Sequence, residues 1–193
     1  MAGSAKILAF AGSTRAASFN KKLVRIAADE AREAGADVTL IDLRDYPLPL
    51  FDGDLEANDG LPTNARALKD IFLAHNGLMI SAPEYNSSIT AVLKNTIDWV
   101  SRPVPNEASL ACFANKLAVL MSASPGALGG LRGLVHVRAI LGNIGVWVLP
   151  DQVAVMKAHE SFQPDGTLKD AKLQASVKNL GAKLASALKK MNA

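Results

Sequence analysis

Short apolar runs alternate with longer amphipathic segments along the chain. Five of the runs lack the every-second-residue alternation of a strand that is exposed on one face, so they are typical of strands buried on both faces. They predict strands at residues 6–11, 37–42, 77–81, 117–121 and 146–149.

The segments between these runs carry apolar residues at helical spacing. They predict helices at residues 20–34, 64–75, 89–100, 131–141 and 170–190. Residues 43–62 are polar and rich in proline and glycine, which predicts a long loop. Loops of that length inside a compact domain are usually functional.

The alternation of strands and helices predicts the fold class. We expect an α/β protein with a doubly wound parallel sheet, helices on both faces, and one domain over residues 1–193. In such sheets ligands bind beyond the carboxyl ends of the strands, where the strand order reverses. The loops at residues 12–19, 82–88 and 122–129 are therefore the places to search for chemistry.

Composition narrows the class of protein. Hydrophobic residues make up 49% of the chain and charged residues 20%, which is ordinary for a globular domain. The net charge is only +3, and the basic excess lies from Lys169 onward, so no nucleic-acid partner is expected. The single cysteine, Cys112, excludes an intramolecular disulfide. Without a long apolar run or a signal-peptide pattern, we expect a cytoplasmic protein with no membrane partner.

The loop after the first strand has the residues of an anion site. Backbone amides at the start of a helix favour an anion, and Ser13, Thr14, Ser18 and Asn20 add short polar side chains. Arg15 adds a full charge with a planar set of donors. The glycines of a Walker loop or a dinucleotide fingerprint are missing, so the pattern suits a terminal phosphate. A plain helix cap beside an unrelated surface arginine is the alternative interpretation.

The loop after the third predicted strand suits a planar ligand. Pro83 restrains the backbone, and Tyr85 adds an aromatic ring near the first loop. The alternative is a simple turn with a half-buried tyrosine. Glu84 has no evident partner that would make it a general base.

Taken together, ordered motifs carry a family resemblance. Gly12-Ser-x-Arg-x-x-Ser-Phe-Asn20, Pro83-Glu-Tyr-Asn86 and Leu93-Lys-Asn-x-Ile-Asp-Trp99 follow one another, and Ser122-x-Ser-x-Gly-x-x-Gly-Gly130 continues the series. The chain resembles the NADPH-dependent FMN reductase family of flavodoxin-like proteins, and most closely its quinone, chromate and azo reductase branch.

The resemblance implies a five-stranded flavodoxin-like sheet of order 2-1-3-4-5, bound FMN, and NADPH or NADH as electron donor. It implies two-electron reduction of a small-molecule acceptor (a quinone, a flavin, an azo compound or a metal oxyanion) with ping-pong kinetics. It assigns the FMN phosphate to Ser13, Arg15, Ser18, Phe19 and Asn20, the isoalloxazine to Pro83, Glu84, Tyr85 and Asn86, and its border to Ser124 and Gly126.

The resemblance also implies a homodimer or homotetramer, for which Trp99 and residues 140–149 offer apolar surface. No side chain is assigned a catalytic acid–base role, because the cofactor carries the chemistry. No metal site is expected, since the three histidines lack ligand spacing. Two alternatives remain: a flavodoxin-like electron carrier that does not oxidise NAD(P)H, and a non-enzymatic nucleotide-binding regulator.

Overall fold

A computed structural model describes residues 5–191 and contains a five-stranded parallel sheet. Its strands are β1 (Lys6–Ala11), β2 (Asp37–Ile41), β3 (Gly77–Ser81), β6 (Leu117–Ala123) and β7 (Trp147–Val155). Their order is β2-β1-β3-β6-β7, which is the 2-1-3-4-5 order implied by the resemblance. The flavodoxin-like fold is therefore confirmed.

Helices cover both faces of the sheet, which explains why the strands lack polar alternation. One face packs against α1 (Phe19–Glu33) and α7 (Ala171–Met191). The other packs against α3 (Thr63–Leu73), α4 (Ala91–Val100) and α5 (Leu131–Asn143). In β1, Ile7 and Ala9 belong to the first core and Leu8 and Phe10 to the second, and all four are buried.

Several short elements differ from the sequence-based expectation. The predicted loop at residues 43–62 contains a 3-10 turn (Leu43–Asp45) and α2 (Gly53–Asp59), each begun by an aspartate that caps its backbone. The loop after β3 forms a hairpin of β4 (Glu84–Tyr85) and β5 (Ser88–Ile89), so α4 begins after it. A further turn of helix, α6 (Ala158–Ser161), follows β7.

The last strand is longer than its apolar run because a bulge lets it continue past a proline. The pairing of β6 with β7 shifts from Ala118 opposite Val148 to Leu120 opposite Gln152. Arg138 of α5 donates hydrogen bonds to the carbonyl oxygens of Val148 and Leu149. The arginine thus satisfies backbone groups that the bulge removes from the ladder.

The exposure of individual side chains bears on several other expectations from the sequence. Trp99 is completely buried within the subunit, so it offers no surface to a partner, whereas Trp147 is 60% exposed. Cys112 is buried and unpaired. Among residues 5–191 no group of histidine, cysteine and carboxylate side chains has the arrangement of a metal site. Within the same residues, no helix has both the length and the apolar character to cross a bilayer.

The carboxyl ends of the central strands come together at the point where the strand order reverses. Gly12 N–H donates to Ser81 O at 2.9 Å, and Ala82 N–H donates to Met121 O at 2.8 Å. A Cβ atom at Gly12 would lie 2.9 Å from Leu93 Cβ, so glycine permits α4 to approach the end of β1. This convergence places the three predicted loops beside one another.

Candidate active site

A cleft that is open to solvent lies at the carboxyl ends of β1, β3 and β6. Its walls come from the three loops in which sequence analysis predicted chemistry. The lining residues are Ser13, Arg15, Ser18, Phe19, Asn20, Pro83, Glu84, Tyr85, Ala123, Ser124 and Pro125. Of the residues assigned from the resemblance, only Asn86 and Gly126 lie outside this lining.

One end of the cleft is formed by the start of α1. Ser18 is the N-cap residue and is buried, yet its side chain makes no capping hydrogen bond. The amides of the first turn thus lack their usual side-chain partner, which leaves the positive end of the helix directed at the cleft. The guanidinium of Arg15 adds the only formal positive charge among the lining residues. This end is built to receive an anion.

The loop that carries Arg15 is held by residues outside the motif. Arg44, in the 3-10 turn after β2, donates to Thr14 O from Nε at 2.9 Å and from Nη2 at 2.7 Å. Thr90 Oγ1 donates to Gly12 O at 2.7 Å and also caps α4. Sequence reasoning missed both residues, because their partners are backbone oxygens that no motif reveals.

Asn20 lines the cleft, but its carboxamide is already used within the protein. Its Nδ2 donates to Ala123 O at 2.8 Å, and its Oδ1 accepts from Ala123 N–H at 3.0 Å and from Ser81 Oγ at 2.8 Å. The side chain assigned to a phosphate therefore joins α1 to the ends of β3 and β6 instead. Its backbone amide lies in the first turn of α1.

The opposite wall is the β4–β5 hairpin. Its two turn residues, Asn86 and Ser87, have φ values of 50° and 67°, which is the left-handed pair of a type I′ turn. Pro83 and Tyr85 face the cleft, and Tyr85 is 56% exposed. Asn86 lies in the turn and is not part of the cleft lining. The hairpin presents a proline, an aromatic ring and backbone polar groups to a flat ligand.

Glu84 has partners that its sequence neighbours did not reveal. Its Oε2 accepts from Gly133 N–H at 3.0 Å, and its Oε1 accepts from Arg132 Nε and Nη2 at 3.1 and 2.9 Å. Burial raises the pKa of this carboxyl, but the amide and the guanidinium outweigh burial and hold the pKa below its usual range. Glu84 is therefore a fixed carboxylate and is unsuited to accept a proton near neutral pH.

The third wall is the loop after β6. Ser124 N–H donates to Val155 O at 3.1 Å, and Ser124 Oγ accepts from Gly126 N–H at 3.2 Å. Gly126 is therefore not part of the cleft lining, but its amide holds the side chain of Ser124, which is. At Gly129, where φ is +61°, a Cβ would lie 2.8 Å from the Val155 carbonyl carbon. Glycine at this position lets the loop pack directly on the end of β7.

The third motif of the series anchors residues 49–51 to α4. Pro49 O accepts from Asn95 Nδ2 and from Trp99 Nε1, both at 2.8 Å. Phe51 N–H donates to Asn95 Oδ1 at 2.8 Å, and its ring meets Trp99 edge-on with centroids 5.0 Å apart. Asn95 and Trp99 therefore serve structure, by fixing a segment that the sequence presented only as a loop.

The cleft combines two features that a flavin mononucleotide requires. An uncapped helix start with Arg15 suits its phosphate, and a wall of Pro83 and Tyr85 suits its flat ring system. The residues present therefore fit FMN in kind.

Comparison with known proteins agrees with this geometry. The model of the family "NADPH-dependent FMN reductase" matches residues 5–160. The chain is 35% identical over 179 residues to a probable NADPH:quinone oxidoreductase of Oryza sativa subsp. japonica, covering 91% of this chain and 84% of the relative. It is 32% identical over 173 residues to an NAD(P)H-dependent FMN reductase of Pseudomonas aeruginosa, covering 89% of each chain.

A solved structure gives the same fold. The flavoenzyme FerB, an NAD(P)H:(acceptor) oxidoreductase of Paracoccus denitrificans, superposes with a TM-score of 0.79 at 24% identity, covering 96% of this chain and 97% of FerB. The match of the family model over most of the chain, at the cleft just described, shows that the protein belongs to the NADPH-dependent FMN reductase family and is an oxidoreductase.

Proposed function

We propose that this protein holds FMN in the cleft between the 12–19, 82–88 and 122–129 loops and reduces small acceptors with electrons from NADPH or NADH. The observation that carries the proposal is the joint presence of an anion end and a flat wall in one cleft. The acceptor classes are quinones, flavins, azo compounds and metal oxyanions, with quinones favoured by the names of the relatives.

The chain's own residues would bind the two ends of the cofactor separately. The first-turn amides of α1, the hydroxyls of Ser13 and Ser18, and Arg15 would hold the phosphate. The backbone of residues 83–86 would hold the ring edge, with Ser124 at its border. When bound, FMN supplies the chemistry of accepting two electrons as hydride and passing them on.

Among the lining residues no side chain is placed to act as a general base. Glu84 is the only carboxylate, and Arg132 and Gly133 already bind both of its oxygens. The protein's contribution to the reaction is thus to bind, orient and leave one side of the cleft open.

One open cleft implies that the donor and the acceptor use it in turn. Initial rates at several fixed quinone concentrations should then give parallel double-reciprocal lines against NADPH, the ping-pong pattern. Intersecting lines would contradict a shared cleft. A yellow protein that NADPH does not reduce would favour the electron carrier, and a colourless protein with no affinity for FMN would favour the nucleotide-binding regulator.

We further propose that the protein self-associates. The outer side of α5 exposes Leu131 (43%) and Val135 (59%), and the edge strand exposes Trp147. These apolar side chains are the surface that a second copy would cover. Light scattering at micromolar concentration should show a dimer or tetramer, and a monomer would contradict the proposal. We propose the cytoplasm as the location of the protein. Its single cysteine cannot form an intramolecular disulfide, and disulfides are rare in cytosolic proteins.

A further inference from the structure

The hairpin that lines the cleft is too small to hold its own shape. It contains two residue pairs, Glu84 with Ile89 and Tyr85 with Ser88. Hairpins of this size are marginal even with an ideal turn, and this turn places two non-glycine residues at positive φ. Its position must therefore be set by contacts elsewhere.

Those contacts are made by the first turns of α5. Glu84 accepts three hydrogen bonds from Arg132 and Gly133, and its side chain is only 9% exposed. On the neighbouring strand, Ser88 Oγ lies 2.9 Å from His136 Nδ1. A Cβ at Gly133 would lie 3.3 Å from Glu84 Cβ and 3.4 Å from Ser88 O, so the helix and the hairpin are packed closely. Both strands of the hairpin rest on α5.

The carboxylate serves the helix as well as the hairpin. The N-cap of α5 is Gly130, which has no side chain to accept from the first turn. Glu84 takes that role from a position 49 residues away along the chain, at the positive end of the helix. Loss of this one group would remove three hydrogen bonds between the hairpin and α5 and leave the start of α5 without a side-chain cap.

Side chains alternate across a strand, so Glu84 and Tyr85 leave the hairpin on opposite sides. Both residues contribute to the cleft lining, but the Glu84 carboxylate is bound to α5, whereas the Tyr85 side chain is 56% exposed. We propose that Glu84, held by Arg132 and Gly133, is a positioning residue that orients the Tyr85 ring and thereby sets the efficiency with which an acceptor is reduced. This inference rests on the proposed function, and it makes no use of the phosphate end of the cleft.

The protein has two tyrosines, Tyr46 and Tyr85, which allows a direct measurement. Holoenzyme labelled with 3-fluorotyrosine should give two ¹⁹F resonances. In Glu84→Gln and in Arg132→Gln the Tyr85 resonance should shift or broaden, while that of Tyr46 stays in place. Lys183→Gln, which breaks an exposed ion pair with Asp151 outside the cleft lining, should move neither. An unmoved Tyr85 resonance in both cleft variants would overturn the proposal.

A kinetic cycle tests whether Glu84 acts through the ring. With NADPH and 1,4-benzoquinone, Glu84→Gln should lower kcat/KM for the quinone about tenfold, because small misplacements at a reacting centre are costly. In a Tyr85→Ala background the same substitution should change kcat/KM less than about twofold. Equal losses in both backgrounds would overturn the proposal.

Two outcomes need a further measurement: a variant that does not fold, and an unmodified protein that does not reduce quinone. If Glu84→Gln fails to fold, Arg132→Gln replaces it, since that variant keeps the bond from Gly133 to the carboxylate. If the unmodified protein does not reduce quinone, the proposed function fails, and the ¹⁹F measurement still decides whether Glu84 positions Tyr85.

Discussion

Asn20 and Ser81 are joined by a hydrogen bond of 2.8 Å, from Ser81 Oγ to Asn20 Oδ1, which links the start of α1 to the end of β3. Both residues are buried, and the amide of Asn20 also exchanges two hydrogen bonds with the backbone of Ala123. One side chain at the start of α1 therefore connects the ends of two neighbouring strands. We expect the spacing of the cleft walls to depend on that connection.

We predict that Asn20→Ala lowers the free energy of unfolding by at least about 2 kcal/mol, because it leaves buried donors and acceptors unpaired. Ser81→Ala removes one donor from an oxygen that keeps its second, so it should cost only about 1 kcal/mol. Urea denaturation measures both. Asn64→Ala, which removes one hydrogen bond to Pro47 O near the surface, is the matched control and should cost less. A loss at Asn20 no larger than at Asn64 would contradict the connecting role.

The phosphate assignment predicts a selective effect of Arg15→Ala. Hydrogen bonds from a charged donor contribute roughly 1.5–3 kcal/mol, so FMN affinity should fall about tenfold or more. Riboflavin lacks the phosphate, and its affinity should change little. Fluorescence titration of the apoprotein with both ligands tests this. Arg25→Ala, on the exposed side of α1, controls for the loss of a positive charge. Equal losses for FMN and riboflavin would refute the assignment.

Tyr85 should control turnover more than cofactor content. Tyr85→Ala removes the ring but leaves the backbone of the hairpin, so the ratio of bound FMN to protein should stay close to that of the unmodified protein. The rate with quinone and the order of preference among acceptors should change, since ring placement affects orientation at the reacting centre. Tyr85→Phe keeps the ring and should retain most of the rate. Loss of all FMN from a folded Tyr85→Ala protein would show that the ring itself holds the cofactor.

A partly buried ion cluster away from the cleft predicts how the stability of the fold depends on pH. Glu107 pairs with Arg66 and lies 3.2 Å from the Nζ of the buried Lys69. Burial raises the pKa of Glu107, but the two cations outweigh burial and lower the pKa from its usual value of 4.5. A lowered pKa stabilises the fold above the usual value, and that contribution is lost as the pH falls through the folded-state pKa.

Glu107→Gln should therefore destabilise the protein most at pH 7, by roughly 1–3 kcal/mol. The difference from the unmodified protein should close as the pH falls below 4.5 and through the lowered folded-state pKa of Glu107, where that carboxyl becomes protonated. Thermal denaturation at pH 7, 5 and 3 measures the gap. Asp98→Asn, which breaks an exposed pair with Lys94, should change stability little at any of these values. A gap independent of pH would contradict the role of the Glu107 charge.

The sequence predicts the sheet and the place of the cleft for a physical reason. Strands buried on both faces leave uninterrupted apolar runs, and the ends of parallel strands must meet at one edge. The hairpin at residues 84–89 escapes this reasoning, because two-residue strands carry no periodicity. The part of β7 after Leu149 is also not predicted by the sequence. Pro150 and Asp151 end the apolar pattern, while a bulge lets the strand continue.

The contacts that hold the site are the least visible in the sequence. Arg44 binds a carbonyl oxygen, and Glu84 binds an amide 49 positions away, so no local pattern records either bond. Asn20 is the opposite case, because its sequence context suggests a contact with a ligand and the structure shows contacts within the protein. A polar residue at the start of a helix in a phosphate-like loop favours ligand binding on chemistry alone, and only the position of Ala123 shows that its amide is already occupied.

The central claim is that one cleft binds FMN and passes electrons from NAD(P)H to a small acceptor. The most direct measurement is an anaerobic absorbance titration of the purified holoenzyme. The account predicts a flavin spectrum that NADPH or NADH bleaches and that one equivalent of 1,4-benzoquinone per flavin restores, with loss of both changes when the FMN is removed. A protein that binds no flavin, or whose flavin spectrum neither nicotinamide cofactor bleaches, would contradict it.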